Sequence, residues 1–438
     1  MIFKRKLYDK LLVWKQQTAG TKALLIEGAR RIGKSTLVEE FAKNEYRSYL
    51  MIDFNKVSDS VISAFNNYMN DLDTFFLILS SEYGVRLYPK ESIIIFDEIQ
   101  QFPKARQAIK YLVADGRFDY IETGSLISIK ENVNDITIPS EERTLLMYPM
   151  DFEEFAWAMN EESLMAYIRQ CFDKKVPLEQ GIHAKAMLLF RQYMIVGGMP
   201  RSLSAYLENN RSFEMADMEK RDILTLYRND IKKIKSGYRS SVLSIFDQIP
   251  AFLSRSERRV VMNRIEKGAS FPKYHDTFFW LSDSMIANEC FNCSDPNVGL
   301  SLNEDRTYVK CYMGDTGLLI SHTFDENEIS DGELYREILL GKLSVNEGMF
   351  YENVIAQMLV AAGHKLYFYT RYNQEKHRND MEIDFILSNH SKLRYKIFPI
   401  EVKSNDKYSI RSLTRFNESF RQRIGGSYVI HPKNLSVK

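Results

Sequence analysis

The stretch ALLIEGARRIGKST, residues 23–36, decides how the N-terminal part of this chain folds. Ala23 to Glu27 form a mostly apolar run that ends at Gly28, the pattern of a short buried strand. Gly28, Ala29, Arg30, Arg31, Ile32, Gly33, Lys34 and Ser35 then meet every fixed position of the phosphate-loop pattern Gly-x4-Gly-Lys-Ser/Thr. Each fixed residue type has a physical task. The glycines let the loop turn backbone N–H groups inward around phosphates, a conformation that side chains obstruct. Lys34 is placed to neutralise β- and γ-phosphate oxygens, and the Ser35 hydroxyl to ligate magnesium. Thr36 follows, and Leu37, Val38 and Phe41 continue at helical spacing. A helix beginning near Ser35 therefore points the positive end of its dipole at the anion.

A second signal lies about sixty residues on. Ser92-Ile93-Ile94-Ile95-Phe96-Asp97-Glu98 is an apolar run ending in two carboxylates, as expected of a central parallel strand. Ligands of open α/β sheets sit at that end of the strands. Asp97 is expected to hold magnesium through water, and Glu98 to polarise the attacking water. Together the two motifs predict binding of ATP with Mg2+, and its hydrolysis. Tyr49–Asp53 and Tyr120-Ile121-Glu122 read as further strands of the same sheet. At the end of the latter, Thr123 and Ser125 are both candidates to touch the γ-phosphate or the lytic water.

A length of 438 residues predicts about three domains, and 45% hydrophobic with 27% charged residues is the composition of ordinary globular protein. No apolar run approaches the roughly 18 residues of a membrane span. The N-terminus, MIFKRKLYDKLLVWKQQ, lacks the apolar core of a signal peptide. Four cysteines make no disulfide framework. The expectation is a cytoplasmic protein with no membrane partner. The net charge of +1 hides strong local swings. Residues 131–179 carry eleven acids against four bases, 220–267 five against twelve, and 365–438 seven against fifteen. Solvated faces produce such swings, and so does an acidic segment facing a partner with basic segments facing an anionic polymer such as DNA.

Taken in order, GARRIGKST, IIIFDEIQ, IETGSLIS, MYPMDFEEF and IVGGMPRSL resemble the prokaryotic AAA-type ATPases that carry a C-terminal domain of unknown function. The resemblance implies an α/β multidomain chain. Its parts are a parallel α/β P-loop ATPase core (1–155), a helical lid (156–237), a winged-helix module (238–325) and a C-terminal α/β domain (340–438). It also implies that the ETGS segment is the first sensor of the ATPase. The small-Gly-Arg triplet of that family reads Glu141-Glu142-Arg143 here, keeping the arginine without the glycine. Arg143 is then either a finger acting on a second copy of the chain or a surface arginine among acids. Trp157, Leu164, Tyr167 and Ile168, and then Leu188, Leu189, Tyr193 and Met194, recur at helical spacing, with Val196-Gly197-Gly198-Met199-Pro200 as a tight turn. The winged-helix region reads as helices over Val242–Leu253 and Phe278–Asn288, then a strand Thr307–Met313 leading to Asp315-Thr316-Gly317. Its basic stretch Arg255–Lys267 suits phosphate contact. Cys290, Cys293, Cys311 and His322 lack the two close-spaced pairs of a structural zinc site and read as core residues.

The C-terminal segment carries a helical pattern with Glu352, and strands over Tyr367–Thr370, Met381–Leu387 and Phe398–Lys403. Asp384 followed by Glu401-x-Lys403 resembles the core of restriction-endonuclease-like folds. In that resemblance Asp384 and Glu401, with Glu352 upstream, hold one or two Mg2+ or Mn2+ ions on a phosphodiester, and Lys403 raises the acidity of the water or stabilises the pentavalent phosphorus. The same residues also read as a solvated edge strand, or as a nuclease-like fold that only binds. Two functions follow: an ATP-driven switch that places a nuclease on DNA, and an ATP-dependent signalling or assembly switch whose C-terminal half binds a partner.

Overall fold

The structure, a computed structural model, describes residues 1–125, 139–234, 238–255, 258–260, 271–325, 332–342, 347–373, 378–389, 396–405 and 407–437. The chain divides into two compact units, Met1–Tyr148 with Asp283–Met285, and Pro149–Ser282 with Ile286–Lys438.

The first unit is built on a five-stranded sheet in the order β2-β3-β4-β1-β5, parallel at every pairing. Its strands are β1 (Ala23–Gly28), β2 (Ser48–Asp53), β3 (Ser92–Asp97), β4 (Asp119–Gly124) and β5 (Glu142–Met147). β1 and β3 are buried along their whole length, which explains their unbroken apolar runs: a strand covered on both faces has no solvent side on which to alternate. Helices Lys34–Glu45, Asp59–Asn67, Leu72–Tyr83 and Pro103–Asp115 alternate with the strands. Phe96, the last apolar residue of β3, packs its ring 5.8 Å from Phe54 and 5.7 Å from Phe65. Anchoring β3 at this end fixes the direction in which Asp97 and Glu98 leave the sheet.

In the second unit, helices Phe152–Ala158, Glu162–Lys174, Gln180–Val196, Pro200–Glu208 and Phe213–Lys232 occupy the segment read as a lid. The first is closed by a capping box in which Asp151 accepts from the Glu154 amide and Glu154 accepts from the Asp151 amide. Beyond them lie β6 (Ala287–Cys293), β7 (Glu304–Met313), β8 (Leu366–Asn373), β9 (Arg378–Ile383), β10 (Phe385–Asn389), β11 (Lys396–Val402) and β12 (Tyr428–Ile430). One sheet runs β7-β6-β8-β9 and another β10-β11-β12.

Several expectations change here. The division between 238–325 and 340–438 does not separate two sheets, because β6 pairs in parallel with β8. β8 lies between β6 of the preceding segment and β9. The helix read over Phe278–Asn288 spans Phe271–Asp283, and the chain turns at Met285 (φ 58°) into β6. The strand read over Met381–Leu387 is two strands that part at Asp384, β9 pairing with β8 and β10 with β11. The Asp384 carboxylate accepts the Val402 amide at 2.8 Å, a bond that holds the bend. Much of the basic stretch Arg255–Lys267 lies outside the described residues.

The glycine turn at 197–198 is locked onto the Asp315-Thr316-Gly317 turn. Asp315 is buried and accepts from the Gly198 amide at 2.6 Å and the Leu318 amide at 2.9 Å, while Gln357 donates to it at 3.1 Å. Gln357 also donates to the Tyr193 hydroxyl at 3.0 Å, which donates to the Met150 carbonyl at 2.8 Å. Backbone meets backbone here: a Cβ on Gly317 would lie 2.6 Å from the Gly197 Cα. Since no flexible side chain can give way, Gly317→Ala should destabilise the chain by about 1–3 kcal/mol and lower the melting temperature by several degrees. An unchanged thermal melt would show that the two turns are not in contact.

Candidate nucleotide site and C-terminal carboxylate cluster

The parallel order brings the C-terminal ends of β1, β3 and β4 to one edge. After β1 the chain enters the loop 28–33, with Arg31 at φ 68° and Gly33 at φ 90°, and then the helix Lys34–Glu45. Gly28 has no room for a side chain, since a Cβ would stand 2.4 Å from the Met147 carbonyl oxygen of β5. Ala29 and Ile32 are buried, Arg30 is half-buried, and Arg31 and Thr36 are exposed. Lys34 is buried and turns back into the loop, donating to the carbonyls of Gly28 at 3.0 Å and Ala29 at 2.9 Å. Burial pushes its ammonium down to about 8, against the opposing pull of Glu98 and Asp97.

Asp97 is the meeting point of the site. Its Oδ1 accepts from the Ser35 hydroxyl at 2.7 Å and from the Thr123 hydroxyl. Three elements therefore converge on one carboxylate oxygen: the loop-to-helix junction, β3 and β4. Between Thr123 and Ser125, it is Thr123 that the structure sets on Asp97, and its hydroxyl also accepts from the Glu98 amide at 3.4 Å. Glu98 adopts φ 55°, a left-handed conformation uncommon for a residue with a side chain, which turns it out of the line of β3. Its carboxylate accepts from the Gln100 side chain. Arg143 is exposed on β5, the edge strand next to β1.

Two supporting groups escaped the sequence reading. Arg5 is buried and donates to the Ile32 carbonyl at 3.0 Å and the Tyr148 carbonyl at 2.6 Å, tying the phosphate loop to the end of the sheet. Arg106 forms a two-point ion pair with Glu142, at 2.9 and 2.7 Å, beside the fully buried Glu122 of β4. Burial raises the Glu122 carboxyl well above the usual range, and Glu142 adds to it. A basic residue near the chain start has no motif to announce it.

The C-terminal residues meet in part. Asp384 and Glu401 flank the register pair Phe385–Ile400, and Lys403 lies 3.0 Å from the Glu401 carboxylate. Burial raises the Glu401 carboxyl, Lys403 opposes the rise and Asp384 adds to it. Glu352 does not stand free to take a metal ion. It is fully buried, its Oε1 3.2 Å from the Lys310 ammonium and accepting from the Tyr312 hydroxyl, and its other oxygen is paired with Arg258. Among the described residues, no three His, Cys, Asp or Glu side chains are grouped so as to hold a metal ion. The cysteines are free and buried, and His322 is taken up by the Phe246 carbonyl at 3.0 Å and by Arg228 at 3.3 Å. Burial raises the Cys293 thiol to about 11, and those of Cys290 and Cys311 further. Among the described residues no helix is long and apolar enough to cross a membrane.

Comparison with known proteins agrees with the first unit. Residues 20–156 match a family model described as an AAA domain, residues 187–328 a domain of unknown function (DUF8612), and residues 347–438 another (DUF4143). No curated protein matches the chain. Among solved structures, the Orc1 protein of Aeropyrum pernix in complex with DNA is 9% identical over 74% of this chain and 93% of its own, with a TM-score of 0.27. AMPPCP-bound DnaA of Aquifex aeolicus is 10% identical over 65% and 90%, with a TM-score of 0.28. A signal transduction ATPase with a tetratricopeptide repeat sensor from Pyrococcus horikoshii is 12% identical over 82% and 48%, with a TM-score of 0.29. With its phosphate loop, its parallel sheet and its match over residues 20–156, the N-terminal unit is similar to AAA-type P-loop domains.

The depressed Lys34 ammonium gives the site a pH signature. Burial favours the neutral amine, so the cation is lost as pH rises through about 8, whereas bound phosphate favours the cation. ATP affinity should therefore weaken as pH climbs from 7.5 to 9.5, by up to about tenfold per pH unit, with a proton taken up on binding. Titration calorimetry in buffers of different ionisation heat measures both. An affinity that stays flat over this range would mean that Lys34 does not meet the phosphates.

Proposed function

We propose that the chain is a magnesium-dependent ATPase whose C-terminal half binds an anionic or protein partner. The observation that carries the first part is the convergence of Ser35, Thr123 and Asp97 beside the phosphate loop. A hydroxyl and a carboxylate 2.7 Å apart are the pair of hard oxygen donors that Mg2+ takes, directly or through water. The residues present fit ATP with Mg2+, which would supply an electrophilic γ-phosphorus and a cation against its charge. In this reading the loop 28–33 cradles the phosphates with its amides, and Lys34 exchanges the loop carbonyls for phosphate oxygens. Ser35 and Asp97 hold the metal, and Thr123 fixes the orientation of Asp97. Glu98, turned out of β3, aligns the attacking water and accepts its proton.

Lys34→Ala should abolish measurable ATP affinity and leave the fold intact. Glu98→Gln should keep ATP bound and slow phosphate release by about 10²-fold or more, because an amide cannot take up the proton. A Glu98→Gln variant that turns over at the wild-type rate would remove Glu98 from this role. Unchanged ATP calorimetry in Lys34→Ala would remove the site itself.

For the C-terminal half, support comes from charge and exposure. Residues 365–438 carry fifteen bases against seven acids, and Lys407, Arg411, Arg415 and Arg421 are exposed. The helix Arg411–Ser419 buries Leu413 and Phe416 and leaves Arg411 and Arg415 outward. Polyanion binding of this kind is sequence-tolerant and falls steeply with salt. The triple variant Lys407→Glu/Arg411→Glu/Arg421→Glu should lose duplex DNA binding in a salt-titrated shift assay while keeping ATPase activity. Unaltered DNA binding by the variant would place the contact elsewhere, and no binding by the wild type would favour a protein partner.

A further inference from the structure

A lysine sits beside Glu352 and Asp384, two of the carboxylates that the restriction-endonuclease resemblance assigns to a metal. Lys310, on β7, is fully buried, and its ammonium lies 3.2 Å from Glu352, 3.2 Å from Glu382 and 3.9 Å from Asp384. The ring of Phe368 closes another side, with its centroid 5.0 Å away. β7 belongs to the segment before the nuclease-like one, and it reaches the cluster because β6 pairs with both β7 and β8. Charges around the cluster are already close to balance. Glu352, Glu382, Asp384 and Glu401 face Lys310, Arg258 and Lys403.

Removing such a buried cation leaves carboxylates uncompensated, which is far costlier than losing a surface pair. A magnesium ion needs oxygens at about 2.1 Å in octahedral array, and manganese asks for much the same oxygen ligands. Neither can share the oxygens that an ammonium at 3.2 Å already holds. A metal ion held jointly by Glu352 and Asp384, as the restriction-endonuclease resemblance implies, therefore does not fit beside Lys310.

We propose that Lys310 is the resident cation of this cluster, holding Glu352, Glu382 and Asp384 in place of a divalent ion, so that the C-terminal half works without metal-dependent cleavage. The inference is independent of the ATPase reading, since every residue in it belongs to the second unit. It carries a corollary that a merely structural lysine would not: taking the ammonium away creates a divalent-cation site. Replacement by methionine keeps an apolar stem as far as the ε position and removes the terminal ammonium.

The test uses the full-length chain in an Asp97→Asn background without nucleotide, so that the phosphate loop contributes no metal binding. Mn2+ binding is followed by electron paramagnetic resonance, and thermal melts are recorded with and without Mn2+. The background protein should bind no Mn2+ that depends on Asp384, and Mn2+ should leave its melting temperature unchanged. Lys310→Met should bind one Mn2+ per chain and melt several degrees higher with it, and further substitution of Asp384→Asn should cancel both effects. Lys310→Arg, which restores a cation, should bind none. Should the single variant fail to fold, Lys310→Met/Glu382→Gln removes one charge of each sign and is read in the same way. Mn2+ bound by the background protein and lost on Asp384→Asn would overturn the proposal, as would folded Lys310→Met variants that bind no Mn2+.

Discussion

One carboxylate oxygen, Oδ1 of Asp97, ties the N-terminal unit together. It receives hydroxyls from Ser35 at the head of the helix that follows the phosphate loop and from Thr123 on β4. That junction exists only because the sheet is parallel in the order β2-β3-β4-β1-β5, with β4 lying between β1 and β3. A parallel sheet sends the C-terminal ends of all its strands to one edge, and the residues able to bind a ligand collect there. The aromatic packing of Phe54, Phe65 and Phe96 at the same end serves this geometry, since movement of β3 would carry Asp97 away from Ser35.

Buried charge is managed differently in the two units. In the first, Lys34 rests on loop carbonyls, a neutral arrangement that leaves it free to exchange partners. In the second, Lys310 is held among three carboxylates with no solvent in reach, an arrangement that fixes it. Lys220 is a third case, fully buried and donating to the Ile195 carbonyl at 2.7 Å, with Asp217 at 3.5 Å. Burial penalises the ammoniums of Lys34 and Lys220, and in all three cases the neighbours decide whether the group is a ligand-binding cation or a structural one.

The legible parts of the sequence were those in which local chemistry and spacing coincide. Gly28, Gly33, Lys34 and Ser35 are fixed by what a phosphate loop requires, and Asp97 with Glu98 by the end of an apolar strand. The structure puts them side by side. Thr123 and Ser125 are not told apart by sequence, because the difference is that β4 ends at Gly124, leaving Thr123 within the strand beside Asp97 and Ser125 beyond it. Arg5 and Lys310 were illegible for another reason: each acts more than twenty-five residues from where it stands in the chain, through a pairing that only the fold creates. In hindsight, the lone lysine in the apolar run Tyr308–Met313 was the one local sign of the second cluster. Read from sequence, Glu352 is the upstream carboxylate of a candidate metal site; in the fold it is the partner of Lys310, Tyr312 and Arg258.

The central claim is that Ser35 and Asp97 make one metal-assisted nucleotide site. The most direct measurement is the affinity of the full-length chain for ATP by calorimetry, with Mg2+ and with a chelator, in wild type and in Ser35→Ala. The account predicts one nucleotide per chain, markedly tighter binding with Mg2+ in the wild type, and loss of most of that difference in Ser35→Ala. Equal affinity with and without Mg2+ in the wild type would contradict it.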